Sequence, residues 1–88
     1  MTEPLGRRHA RTLESIFALP TPATIRWAEF AALVKAIGGN LTERESSRVA
    51  VTLQGRTMVI HKPHPRPEIK RSTVRDIRDF RFAAGVSP

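Results

Sequence analysis

Apolar residues recur at helical spacing in three stretches of the chain and alternate at strand spacing in two. From Arg7 to Phe17, Leu13, Ile16 and Phe17 form a narrow apolar stripe on a basic segment, and Pro20 and Pro22 end it. This predicts a short N-terminal helix. Between Ile25 and Ile37 the positions Trp27, Phe30, Leu33 or Val34, and Ile37 fall on one helical face, with Thr24 placed to cap the start and Gly38–Gly39 to stop the end. Asn40 to Glu45 is polar apart from Leu41 and reads as a short edge strand or an extended connection.

The alternation begins at Ser47. Val49, Val51 and Leu53 share one face of a half-buried strand, and Arg48, Ala50 and Thr52 share the other. Gln54–Gly55 turns the chain into a second strand, Arg56–His61, with Met58 and Ile60 on one face and Thr57, Val59 and His61 opposite. Counting outward from a two-residue loop pairs Leu53 with Arg56, Val51 with Met58, Val49 with Ile60, and Arg48 with His61. That register gives both strands the same core face, whereas a slip of one residue would turn a whole strand over. Pro63, Pro65 and Pro67 at alternate positions then force a loop. A last helix runs from about Arg71 to Ala84, with Ser72 or Thr73 near its start, Val74, Ile77, Phe80 and Ala84 on its stripe, Phe82 off it, and Gly85 as its stop. The order is α-β-β-β-α behind an extra N-terminal helix: an α+β fold in which two helices cover one face of a small antiparallel sheet.

Eighty-eight residues allow one domain with one modest core. Hydrophobic residues make up 40% and charged residues 26%, which is the composition of a chain that folds. The lack of cysteine excludes disulfides, cysteine-ligated zinc, iron–sulfur clusters and thiol catalysis. No apolar run approaches the roughly 18 residues that span a bilayer, and no signal-peptide pattern opens the chain, so the expectation is a cytoplasmic protein without membrane insertion. Fifteen Lys and Arg against eight Asp and Glu leave a formal charge of +7, which points to a polyanionic partner, nucleic acid first. Solubility alone is the plainer account of the same charge.

The combination Trp27-x-x-Phe30-x-x-Leu33-x-x-x-Ile37-Gly38, then Ser46-Ser47-Arg48 opening a strand, then His61-Lys62-Pro63-His64-Pro65, then a helix ending Ala84-Gly85-Val86-x-Pro88, resembles the HicA family of toxins. The resemblance spans roughly residues 25–88. It divides the chain into a basic N-terminal extension over 1–23 and a HicA-like RNA-binding and ribonuclease domain over 24–88. It implies a fold like that of double-stranded-RNA-binding domains, endonucleolytic cleavage of mRNA that arrests translation, and neutralisation by a HicB-like antitoxin. The family commonly carries Gly-Ser-His at the strand opening, with the histidine catalytic. Here those positions hold Ser46, Ser47 and Arg48. Arginine does not serve as a general base, although it grips a phosphate through two donors and stabilises charge on a phosphoryl transition state.

Metal-free RNA cleavage needs a base for the 2′-hydroxyl, an acid for the leaving oxygen and cations for the phosphate. His61 and His64 are the candidate proton carriers, with Arg48, opposite His61, as a phosphate ligand. Their plainer readings are a strand-end histidine facing solvent, a loop histidine bonded to backbone, and an exposed strand arginine that keeps the sheet soluble. His9, in the basic terminus, reads as a phosphate contact ahead of a catalytic role. Lys62, Arg66, Lys70, Arg71 and Arg75, against Glu68 alone between His61 and Arg75, form the expected RNA track, unless they are a solvated helix start. Arg7, Arg8 and Arg11 make a second patch or a charged frayed end. Trp27 and Phe30 belong to a core by their spacing rather than to a base-stacking platform.

No cofactor or metal is expected. His61-x-x-His64 lacks a neighbouring acid, and its positive surroundings oppose a divalent cation. Ser46 and Ser47 sit in no nucleophile-elbow context, and no glycine-rich phosphate loop is present. The competing functions are a non-catalytic RNA-binding module that has lost the catalytic histidine and, last, a DNA-associated regulator, for which no helix-turn-helix spacing exists.

Overall fold

The computed structural model describes residues 6–83, with side chains as far as Phe80. The expectations for Ala84, Gly85 and the Ala84–Pro88 motif, and for the side chain of Phe82, lie outside the described residues. Within them the elements are α1 (Arg7–Ile16), α2 (Trp27–Ala36), β1 (Asn40–Glu43), β2 (Arg48–Leu53), β3 (Arg56–His61) and α3 (Arg71–Ala83), with a single 3-10 turn at Glu45–Ser47. This is the α+β arrangement read from the pattern, consistent with a double-stranded-RNA-binding-domain-like fold. No described helix is long and apolar enough to cross a membrane.

The sheet is antiparallel in the order β1-β2-β3. Its hairpin has the register the alternation specifies: Leu53 opposite Arg56, Val51 opposite Met58, Val49 opposite Ile60 and Arg48 opposite His61. The two-residue turn requires positive φ at both positions, and Gln54 (52°) and Gly55 (77°) supply it. Asn40–Glu43 resolves as the short edge strand, with Leu41 opposite Val51.

Val49, Val51, Ile60, Phe30, Leu33, Val34, Val74 and Ile77 form the buried core between sheet and helices, with Ile25 and Ile69 closing one end. Leu13 and Ile16 of α1 join the same core, so the N-terminal helix packs on α2 and α3. On the other face of the sheet Val59 is 48% exposed. Trp27 and Phe30 behave as packing residues, their ring centroids 5.5 Å apart and Phe30 buried.

The start of α2 departs from expectation. Thr24 does not cap it; the cap residue is Arg26, whose backbone N–H donates to Glu29 Oε1 at 3.0 Å. Residues 25–27 are held extended against residues 67–69: Trp27 N–H donates to the Pro67 carbonyl and Ile69 N–H to the Ile25 carbonyl, each at 2.8 Å, around an Arg26–Glu68 bridge. That pairing delays the helix by two residues. Its end follows the glycine pair: Gly38, at φ 89°, donates to Lys35 O, and Gly39 donates to Val34 O, two bonds that satisfy terminal carbonyls. A side chain on Gly39 would collide with Thr52 O and Val34 Cγ1, both 2.8 Å from where its Cβ would stand.

Candidate functional site

The end of the hairpin and the start of α3 enclose an open cleft of about 540 Å³. Its walls are Ser47, the His61–His64 segment, Lys70, Ser72 and Thr73. Three local facts bring these residues together. His61 is the last residue of β3, so its position is fixed by the ladder that pairs it with Arg48. The Lys62 N–H donates to the Ser47 carbonyl at 2.7 Å, which carries the pairing one residue past the strand. Ile69 is then buried and bonded to Ile25, so the proline loop is pinned at its far end and returns the chain to α3 beside the strand ends. Both histidines are solvent-exposed, as proton carriers for an incoming substrate must be.

The candidate residues separate into two groups. His61, His64, Lys62 and Lys70 line the cleft. Arg48, Arg66, Arg71 and Arg75 do not. Arg48 stands opposite His61 in the ladder, but its Nε donates to the Glu45 carbonyl at 3.4 Å along its own strand opening. Arg71 is turned to the Thr21 carbonyl, to which its Nε donates at 3.1 Å. Arg66 is exposed on the loop and Arg75 on α3. Lys62 is shared with Glu43 of the edge strand, Nζ to Oε2 3.8 Å, a contact between well-exposed groups that a phosphate can displace. Among the described residues no cluster of three or more acids and histidines is placed to hold a metal ion.

Ser47, Ser72 and Thr73 are cleft residues whose side chains the sequence did not mark as ligands. Ser72 and Thr73 read as helix-start residues, which hid their hydroxyls among ordinary capping candidates. Ser46 and Ser47 both adopt left-handed backbone, at φ 61° and 62°, a conformation that costs a non-glycine residue about 1 kcal/mol or more. The bend is what aims Ser47 at the cleft before β2 begins. Its signal in the sequence is the Ser46-Ser47 pair standing where the resembling family has Gly-Ser.

A family model described as the HicA toxin of bacterial toxin–antitoxin systems matches residues 27–83, from the first residue of α2 to the last of α3 in the described chain. The chain belongs to the HicA toxin family. The match takes in every HicA-region element that builds the cleft and leaves α1 outside it. Membership makes the protein a toxin of a toxin–antitoxin pair. No curated protein and no solved structure matches the chain.

Proposed function

We propose that this HicA-family toxin is a metal-independent RNA endonuclease that cleaves mRNA in the cytoplasm, arrests translation, and is neutralised by a HicB-like antitoxin lying over the cleft. The observation that supports it is the meeting of two imidazoles and two ammonium groups, His61, His64, Lys62 and Lys70, in one open cleft. In the proposed reaction one imidazole accepts the proton of a 2′-hydroxyl as that oxygen attacks the adjacent phosphorus. The other imidazole donates a proton to the departing 5′-oxygen as the P–O bond breaks, leaving a 2′,3′-cyclic phosphate and a 5′-hydroxyl. Lys62 and Lys70 balance the charge that builds on the phosphoryl oxygens, and Ser47, Ser72 and Thr73 offer hydroxyl donors to the same atoms. Arg48 is a phosphate ligand at the rim, reached by a strand running out of the cleft. Arg66 and Arg75 extend the RNA track, with Arg71 beside them.

A second reading, a non-catalytic RNA-binding module, is favoured by Arg48 itself: an arginine occupies the position where the family commonly has its catalytic histidine, and it stands outside the cleft lining. One experiment separates the two. A long single-stranded RNA is incubated with the purified chain in excess EDTA, beside His61→Ala, His64→Ala and Arg48→Ala. The expected result is fragments with cyclic phosphate ends, slowed by about 10²- to 10⁴-fold in either histidine variant with RNA affinity retained. Intact RNA despite salt-sensitive binding by the wild type would overturn the enzyme in favour of the binding module.

A further inference from the structure

Outside the family-matched region, α1 presents Arg7, Arg8 and Arg11 to solvent. No hydrogen bond or ion pair of their side chains occurs among the described residues, and no acidic residue lies in the helix's first turn. Three cations are thus gathered toward the end of the helix where the backbone dipole is already positive, an arrangement that opposes folding. A frayed terminus would carry such charge without consequence. Here the helix is fixed: Leu13 and Ile16 are in the core, and Arg78 of α3 donates from Nε to the Ile16 carbonyl (3.0 Å) and from Nη2 to the Ala18 carbonyl (3.1 Å) and Thr21 Oγ1 (3.3 Å).

Arg8 and Arg11 also line a second cleft of about 200 Å³, together with Ser15, Thr24, Ile25 and Glu29. Glu29, its one acid, accepts the Arg26 backbone N–H through Oε1. The wall of this cleft is the strand segment that bonds to the proline loop. Ile25 accepts from Ile69, and Lys70, the next residue, lines the histidine cleft. The 25–27/67–69 pairing thus links the chain segments that line the two clefts, and Arg26 within it and Arg66 just before it are exposed to solvent.

We propose that the arginine face of α1 is a second backbone-binding groove for the RNA strand, continuous with the histidine cleft across that pairing. This rests on the RNA reading of the cleft and adds to it a substrate requirement: a strand long enough to occupy both grooves at once. Arginine suits the role, since its forked donors match phosphate oxygens and need no particular base.

The test measures binding of 2′-O-methyl RNA, which cannot be cut through its 2′-position, to the full chain at several salt concentrations. Oligonucleotides run from about 4 to about 16 nucleotides. The variants are Arg7→Gln/Arg8→Gln/Arg11→Gln and the charge-retaining Arg7→Lys/Arg8→Lys/Arg11→Lys. Single-stranded binding loses about 0.7 in the slope of log K against log salt for each phosphate contact removed, so the glutamine variant should lower the slope by about 2 on the long RNA. It should leave the shortest oligonucleotide unaffected, and the lysine variant should keep most of the slope. An unchanged slope on long RNA, with the wild type binding normally and the variant's circular dichroism and melting unaltered, overturns the second groove alone. Absence of salt-dependent binding by the wild type overturns the RNA reading of the cleft as well.

Discussion

The first and last helices are both rich in arginine and use it in opposite ways. In α3, Arg78 places three hydrogen bonds on the chain that leaves α1, and Arg71 places one on the Thr21 carbonyl. In α1, Arg7, Arg8 and Arg11 extend to solvent with no such partner among the described residues. A formal charge of +7 counts all of these alike. Arg78 is part of the fold and is unavailable to a polyanion without loosening the chain that leaves α1, whereas the exposed Arg71 commits its Nε to the Thr21 carbonyl. Among the described residues the arginines of α1 make no such bond, and they face solvent where a ligand can reach them. Net charge therefore overstates the binding surface, and the hydrogen-bond partners say which cations are free.

That contrast can be broken at several points. The largest effect is expected from Ile16→Ala, which removes the deepest anchor of α1, 1% exposed, and should destabilise the protein by about 2–5 kcal/mol in urea unfolding. An α1 that were merely attached to the surface would show almost no change. Next, Arg78→Ala leaves the Ile16 and Ala18 carbonyls without their charged donor and should cost about 2 kcal/mol, with α1 amides losing hydrogen-exchange protection before the rest. The smallest and sharpest comparison is Arg71→Ala against Arg75→Ala. Removing the Arg71 bond should cost about 1 kcal/mol of stability. Arg75→Ala should leave stability within about 0.5 kcal/mol. If Arg75 contacts RNA, its loss lowers the salt slope by about 0.7. The reverse pattern would mean that the two arginines have been assigned to the wrong tasks.

The hairpin was legible because strand alternation admits one register: Val49, Val51, Leu53, Met58 and Ile60 face the core only if Arg48 meets His61, and they do. The stop of α2 at Gly38–Gly39 was legible for the same local reason, a glycine at positive φ. The start of α2 was not, because Thr24 was a plausible cap until residues 67–69 paired with 25–27 from forty positions away. Of the candidate site, the neighbourhood of His61 and His64 followed from strand and proline loop, both local signals. The entry of Lys70, Ser72 and Thr73 required the return path of that loop, which depends on buried Ile69. The bonds of Arg71 and Arg78 span 50 and 62 residues, and no spacing rule reaches that far. Ser47 was visible as a motif position and invisible as a lining residue, since its direction depends on two left-handed backbone conformations that serine does not advertise.

The clamp of Arg78 on residues 16–21 also sets an order of events during synthesis. A ten-residue helix with no side-chain cap at its start is marginal by itself in water. Its apolar stripe docks on both α2 and α3, so its packing is incomplete until α3 has joined the core, and the Ile16 and Ala18 carbonyls have no charged donor until Arg78 has left the ribosome. Among the described residues, the segment translated first is thus the one that must wait longest for its partners. The strand that places His61 is complete before then, but the N-terminal helix has its full docking surface on α2 and α3 only once α3 has been made. A translating ribosome carries this toxin in an unfinished form until the last helix arrives.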